Sequence, residues 1–256
     1  HRACEKALEM APDSIDALTL RSGILLTLGR HEASVEAAKR VLDLDPDCPM
    51  AQEHLGTALL SLNRFEEALP ALDKALSMNP DYMKARNSRG IALNYLGRYD
   101  EALQEADRLQ QQDPESPFAF RLRSTAFIGL RRYAEAVEAA GRTLELDPGC
   151  TAAAQDRGAA LFGLNRHEEA LQAFDRALTL APENGTSWFA RANALSQLGR
   201  GKEAAAACEK ALTLPLSPKL RAACEKMLAI EREVLDKEGA PIGELPLALG
   251  KPGTYI

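Results

Sequence analysis

No stretch of this 256-residue chain approaches the roughly 18 consecutive apolar residues that a membrane-spanning helix needs, which excludes membrane insertion by a helix. Cysteine is equally unhelpful as a framework. The five cysteines include no C-x-x-C pair, and Cys4, Cys48, Cys150, Cys208 and Cys224 are expected as small buried or semi-buried thiols of a reducing compartment, with the cytoplasm favoured. Histidine is scarce. His31-Glu32 and His167-Glu168 are not followed by a second histidine four residues on, so the zinc-site pattern fails. Both fall where Phe65, Tyr99 and Tyr133 stand elsewhere in the chain, and they read as packing substitutes. A phosphate-cradling glycine loop, a G-x-S-x-G elbow and a dinucleotide fingerprint are all missing. No catalytic pair, metal set or cofactor site is nominated, and the chain is read as no enzyme. A basic surplus is missing too: the net charge is −6 and the isoelectric point near 5.4, which argues against nucleic acid as a partner.

What is present is a period. Pro12, Pro46, Pro80, Pro114, Pro148 and Pro182 stand 34 residues apart. A fixed interval of this size marks one supersecondary unit copied along the chain, each copy burying its neighbour's apolar face. The units run 15–48, 49–82, 83–116, 117–150, 151–184 and 185–218. Residues 1–14 read as the second helix of a truncated unit, so that a longer parent chain is expected. Each unit predicts two helices. The first ends at Gly29, Asn63, Gly97, Arg131, Asn165 or Gly199, mostly residues that tolerate a left-handed conformation. The second closes on a base: Arg40, Lys74, Arg108, Arg142, Arg176 and Lys210 suit the negative helix end. Small residues recur where the two helices must cross: Gly56, Gly90, Gly158 and Ala192 on the first, Ser34, Ala68, Ala102, Ala136, Ala170 and Ala204 on the second.

Two arginine series accompany the period. Arg30, Arg64, Arg98, Arg132, Arg166 and Arg200 follow each first helix and are expected to bond its orphan carbonyls. Arg21, Arg89, Arg123, Arg157 and Arg191 are expected to pack their stems between helices and reach a carboxylate, with Asp107 and Asp175 as candidates. Beyond the last unit, 219–238 is read as an amphipathic capping helix, with Leu220, Ala223, Cys224, Met227, Val234 and Leu235 on one face. The stretch 239–256, rich in Gly and Pro, is expected to be an extended tail or linker, able to dock in the groove of its own or a neighbouring molecule.

The period, Leu55-Gly56, Trp188, the alanine, aromatic and proline positions, and the segment Leu96-Gly97-Arg98-Tyr99-Asp100-Glu101-Ala102-Leu103 together resemble the tetratricopeptide repeat family over residues 1–214. The resemblance implies an all-α, right-handed superhelical solenoid of helix–turn–helix repeats. It also implies a non-enzymatic scaffold that binds a peptide or helix of another protein in a concave groove lined by the first helices. The groove positions that the family uses fall here on Lys84, Asn87, Asn94, Tyr95, Phe118, Arg121, Thr125 and Gln155. The first two units contribute Asp16, Thr19, Met50 and Glu53 at those positions, and the last two add Phe162 and Phe189. The family's clamp for terminal carboxylates is not matched: Thr19, Gly23 and His54 stand at its positions, and in the next register Lys84 fits but Ser88 replaces its arginine companion. A regulatory segment of a larger enzyme and a helical-repeat RNA binder are the alternatives, the latter disfavoured by charge and period.

Overall fold

The computed structural model describes residues 2–236, and the tail expected at 239–256 lies outside them. Among the described residues the chain is helical throughout, with no strand. A short α1 (Arg2–Met10) is followed by α2 (Ile15–Thr27) and α3 (His31–Leu44), α4 (Pro49–Ser61) and α5 (Phe65–Met78), α6 (Met83–Tyr95) and α7 (Tyr99–Gln112). Then come α8 (Pro117–Gly129) and α9 (Tyr133–Leu146), α10 (Thr151–Gly163) and α11 (His167–Leu180), α12 (Gly185–Gln197) and α13 (Gly201–Leu212), and finally α14 (Pro218–Asp236). Two compact units divide the chain, one reaching Leu122 and the other starting at Arg123.

From α1 to α7 in the first unit, and from α9 to α14 in the second, each helix packs on the next. First helices also touch one another, α2 on α4 and α4 on α6 in one unit, α10 on α12 in the other. Within each unit, among the described residues, the second helices of successive pairs make no such contact, so the first helices line the inner side of each stack.

The turn inside a helix pair is set by one left-handed residue. Gly29, Asn63, Gly97, Arg131, Asn165 and Gly199 have φ between 58° and 75°. The arginine after it folds back through its own backbone: Arg30 N–H donates to Leu25 O at 2.9 Å, and Arg64, Arg98, Arg132, Arg166 and Arg200 repeat the bond at 2.8–3.0 Å. The orphan carbonyls are therefore satisfied by main chain and not by the guanidinium groups, contrary to expectation. The side chains reach forward instead. Arg64, Arg98, Arg132, Arg166 and Arg200 each grip the glutamate three residues on, Glu67, Glu101, Glu135, Glu169 and Glu203, through both nitrogens of a fork. These exposed pairs fix the geometry of the second helix's first turn and contribute little to stability. Arg30 has Ala33 at that distance and no such pair. The bases near the second-helix ends also go elsewhere: Lys74 and Arg176 donate to Pro46 O and Pro148 O at 2.6 and 3.1 Å, tying each second helix to the preceding turn.

Helix crossings are as tight as the small residues predict. Ser34, Ala68, Ala102, Ala136, Ala170 and Ala204 are all fully buried. A Cβ on Gly158 would sit 2.5–2.9 Å from the ring of Phe174, which is itself only 4% exposed. Gly141, in the middle of α9, is the opposite case, with nothing within 4 Å of its missing Cβ. On α14 the buried line is Cys224, Leu228 and Glu231. Glu231, which the apolar stripe did not include, is fully buried and neither of its oxygens is hydrogen-bonded. Cys224 Sγ donates to Cys208 O of α13 at 3.4 Å, so two cysteines sixteen residues apart meet in the core. The side chains of Val234 and Leu235 lie outside the described ones.

One charged cluster is also internal. Glu105 of α7 is 1% exposed and receives Arg86 (2.8 Å) and Arg89 (2.9 Å) from α6 and Arg108 (3.0 Å) from its own helix. At the same point of the period stand Ala37, Ala71, Ala139, Ala173 and Ala207. Arg86 also donates to Pro80 O, much as Trp188 Nε1 of α12 donates to Pro182 O at 2.8 Å.

Two predictions follow from this packing. Gly158→Ala destabilises by ~1–3 kcal/mol through overpacking against Phe174, whereas Gly141→Ala stabilises by ~0.5–1 kcal/mol through helix propensity alone; urea midpoints of the two variants should move in opposite directions. Glu105→Gln strands Arg86 without its counter-charge and costs about 3–5 kcal/mol, while the pair Arg86→Leu with Glu105→Ala comes close to wild type. Denaturant titration of the single and double variants checks the difference.

Candidate functional site

Successive first helices are tied to one another by side-chain hydrogen bonds. In the first unit Ser22 of α2 meets His54 Nδ1 of α4 at 2.6 Å, Thr57 of α4 meets Ser88 of α6 at 2.9 Å, and Arg121 Nη2 of α8 donates to Asn87 Oδ1 of α6 at 3.1 Å. In the second unit Ser124 and Thr125 of α8 donate to Asp156 Oδ2 of α10 at 2.5 and 2.9 Å, and Gln155 Nε2 of α10 donates to Ser187 of α12 at 2.6 Å. Partners lie 31–34 residues apart, one period. The inner side of each stack is thus held in register by polar bonds as well as by the alanine crossings behind it.

Serine, histidine and glutamate come together at α2 and α4. Ser22 Oγ is fully buried, 2.7 Å from Thr19 O and 2.6 Å from His54 Nδ1, so the hydroxyl sits inside the helix contact and serves to join the two helices. Glu53, 5% exposed, accepts from Thr57 Oγ1 (2.8 Å) and from Tyr82 OH (3.2 Å). Burial and then the Glu53 carboxylate push the Tyr82 phenol well above its usual range. Among the described residues no group of three His, Cys, Asp or Glu is placed to hold a metal ion. None of the described helices is long and apolar enough to cross a membrane.

The residues nominated for the groove divide into two sets. In the first unit Lys84 and Asn87 share one face of α6, Phe118 and Arg121 one face of α8, and the Arg121–Asn87 bond joins the two faces. Lys84 is exposed and Phe118 is 43% exposed. Asn94 is a correction: it is 2% exposed, with Nδ2 donated to Leu122 O at 3.1 Å, so its amide ties α6 to α8 instead of facing a ligand. Tyr95 stacks on Phe65 with ring centroids 4.5 Å apart. Thr125 and Gln155 belong to the second unit and serve the ties already described. Thr19, Glu53 and Phe162, at family groove positions, are also buried. Sequence reasoning passed over Leu20, which is 58% exposed on α2; with Met50 (53%) on α4 and Phe118 on α8 it completes the exposed large apolar side chains within the described first helices. His54 entered only as a mismatch to the family's carboxylate clamp. A polar residue recurring one period after another polar residue was the available signal for both His54 and the ties.

A family model described as tetratricopeptide repeat matches residues 54–117, 121–185 and 160–220, and a second model of the same description matches 15–48. No curated protein matches the chain. Among solved structures, a thermophilic tetratricopeptide repeat protein of Thermus thermophilus is similar at 23% identity and a TM-score of 0.65, over 71% of this chain and all of that one. A chain of the anaphase-promoting-complex assembly Cut9–Hcn1 is similar at 18% identity and a TM-score of 0.76, over 92% of this chain but only 46% of that one. YrrB, described as a repeat protein with an unusual peptide-binding site, is similar at 20% identity and a TM-score of 0.51, over 71% of this chain and 93% of that one.

Burial lowers the pKa of His54 below its ordinary value of 6.5, with Glu53 opposing and Lys84 adding to the shift. The unfolded chain therefore takes up the proton first, so the stability that neutral His54 provides is present above pH ~6.5 and is lost progressively as the pH falls from there through the lowered folded value. His54→Gln should show a smaller fall in melting temperature between pH 7 and pH 5 than wild type; equal falls would remove His54 from the account.

Proposed function

This chain belongs to the tetratricopeptide repeat family, and we propose that it is a non-catalytic scaffold that takes an extended segment of a partner protein along the first helices of its first unit. The observation that carries the reading is the pattern on α4, α6 and α8: exposed Met50 and Phe118 flank Lys84 and the Arg121–Asn87 pair, on helices already fixed in register. Apolar anchors in such a spacing supply affinity, and the two cations select a segment carrying carboxylates between apolar side chains. Preset register lowers the ordering cost of binding. The peptide-binding site described for YrrB is consistent with this use of the fold.

The test is a displayed library of random linear peptides selected on the full chain. Peptides retained should be enriched in Asp or Glu next to large apolar residues. Their affinity should fall about tenfold, ~1.4 kcal/mol, in Lys84→Glu and in Met50→Ala, with the helical circular dichroism unchanged. Retained peptides that bind both variants as well as wild type would place the binding face elsewhere.

A further inference from the structure

One point of the period always faces the first helix before it. His54 of α4 meets Ser22 of α2, Ser88 of α6 meets Thr57 of α4, and Asp156 of α10 meets Ser124 and Thr125 of α8. The residue at that point on α2 is Leu20, and it is 58% exposed, because among the described residues no first helix precedes α2. Ile24 and Leu28 continue the same face at i+4 and i+8. Ile24 is half-buried, where Ala58, Ala92, Ala126, Ala160 and Ala194 are fully buried one to five periods on. Leu28 is 55% exposed. The uncovered face extends onto α1, where Ala7 is exposed although Val41, Ala75, Leu109 and Ala177 at its point of the period are fully buried. An apolar patch of this kind marks a docking surface.

The two terminal helices decide what fits it. α14 lacks what would take a further helix. Lys226 stands exposed at the crossing point that holds Ser22, Gly56, Gly90, Ser124, Gly158 and Ala192, and exposed Ala229 replaces Leu59, Leu93, Leu161 and Leu195. The α2 face of one copy therefore finds no apolar counterpart on α14 of another, and head-to-tail growth is closed. The α2 face does complement itself. Turned antiparallel about Ile24, the stripe sets Leu20 of one copy against Leu28 of the other. The same turn brings Asp16, four residues before Leu20, toward Arg30 of the other copy, two residues past Leu28. Both are exposed, and among the described residues neither has an ion pair or a side-chain hydrogen bond within its own chain. A parallel pairing would instead set Asp16 beside Asp16.

We propose that the α1–α2 face is a homodimer surface, on which two copies of this chain pair about a two-fold axis with α2 antiparallel to α2. An isologous contact of this kind closes at two copies. Leu20 and Ser22 point about 200° apart around the helix, so the contact uses the side of α2 turned away from α4. It leaves Met50, Lys84 and Arg121 uncovered and stands whether or not the groove binds a peptide.

The experiment is sedimentation equilibrium of the full chain over a range of micromolar concentrations. The average mass should rise from 27.8 kDa toward twice that value and level there. Leu20→Glu should sediment as a monomer throughout, with its helical circular dichroism unchanged, since the side chain it replaces is exposed. Asp16→Arg should weaken the dimer about tenfold, because the contact occurs twice about the axis, and adding Arg30→Asp should restore it. Met50→Ala, on the groove, should dimerise like wild type. A chain that is monomeric at every concentration, a mass that climbs past two copies, or a Leu20→Glu dimer as tight as wild type overturns the proposal. Asp16→Arg that pairs as tightly as wild type overturns the antiparallel arrangement, and loss of the dimer in Met50→Ala assigns the contact to the groove and overturns the α1–α2 surface.

Discussion

The closeness of the two helices in each pair is the constraint on which the rest depends. Where they cross, no side chain larger than alanine or serine is accommodated: Ser34, Ala68, Ala102, Ala136, Ala170 and Ala204 are fully buried, and a methyl group on Gly158 would collide with Phe174. Backbones that approach this closely leave room for leucines on either side, such as Leu59, Leu93, Leu161 and Leu195, to fill the layers between pairs. The left-handed residue and the arginine backbone bond set the angle at which the second helix returns. A repeated unit with one crossing and one turn can only stack, and contact among first helices but not second helices fixes which side is inner.

Polar groups then specialise that inner side. A purely apolar stack of identical layers would have little to oppose a slip in register. The ties from Ser22 to His54, Thr57 to Ser88 and Asn87 to Arg121 bond only in the native register, because each group is shaped for one partner. The buried cluster around Glu105 acts in the same way at a single layer, where its charge is compensated by three arginines. The face that results is preset, which is what a surface for an extended ligand requires.

The fold was legible in the sequence because its determinants are local and periodic. Prolines at 34-residue intervals, Gly or Asn at the turns, and alanine at the crossings each report a backbone condition that one residue type satisfies. The site was less legible because its determinants pair across the period. Asn94 looked like a groove amide until its bond to Leu122 O placed it inside. The arginines after each first helix were assigned to carbonyls that the main chain had already satisfied, and their grip on the glutamate three residues ahead required knowing the turn's geometry. Glu231, Glu105 and the meeting of Cys208 with Cys224 depend on helix contacts that no single-unit pattern encodes.

The most direct measurement of the central claim is hydrogen exchange of the full chain with and without a selected peptide. Added protection should concentrate in α2, α4, α6 and the start of α8, with α3, α5 and α7 little changed. Protection concentrated in those second helices would contradict the account, because the preset inner face would then not be the face that binds.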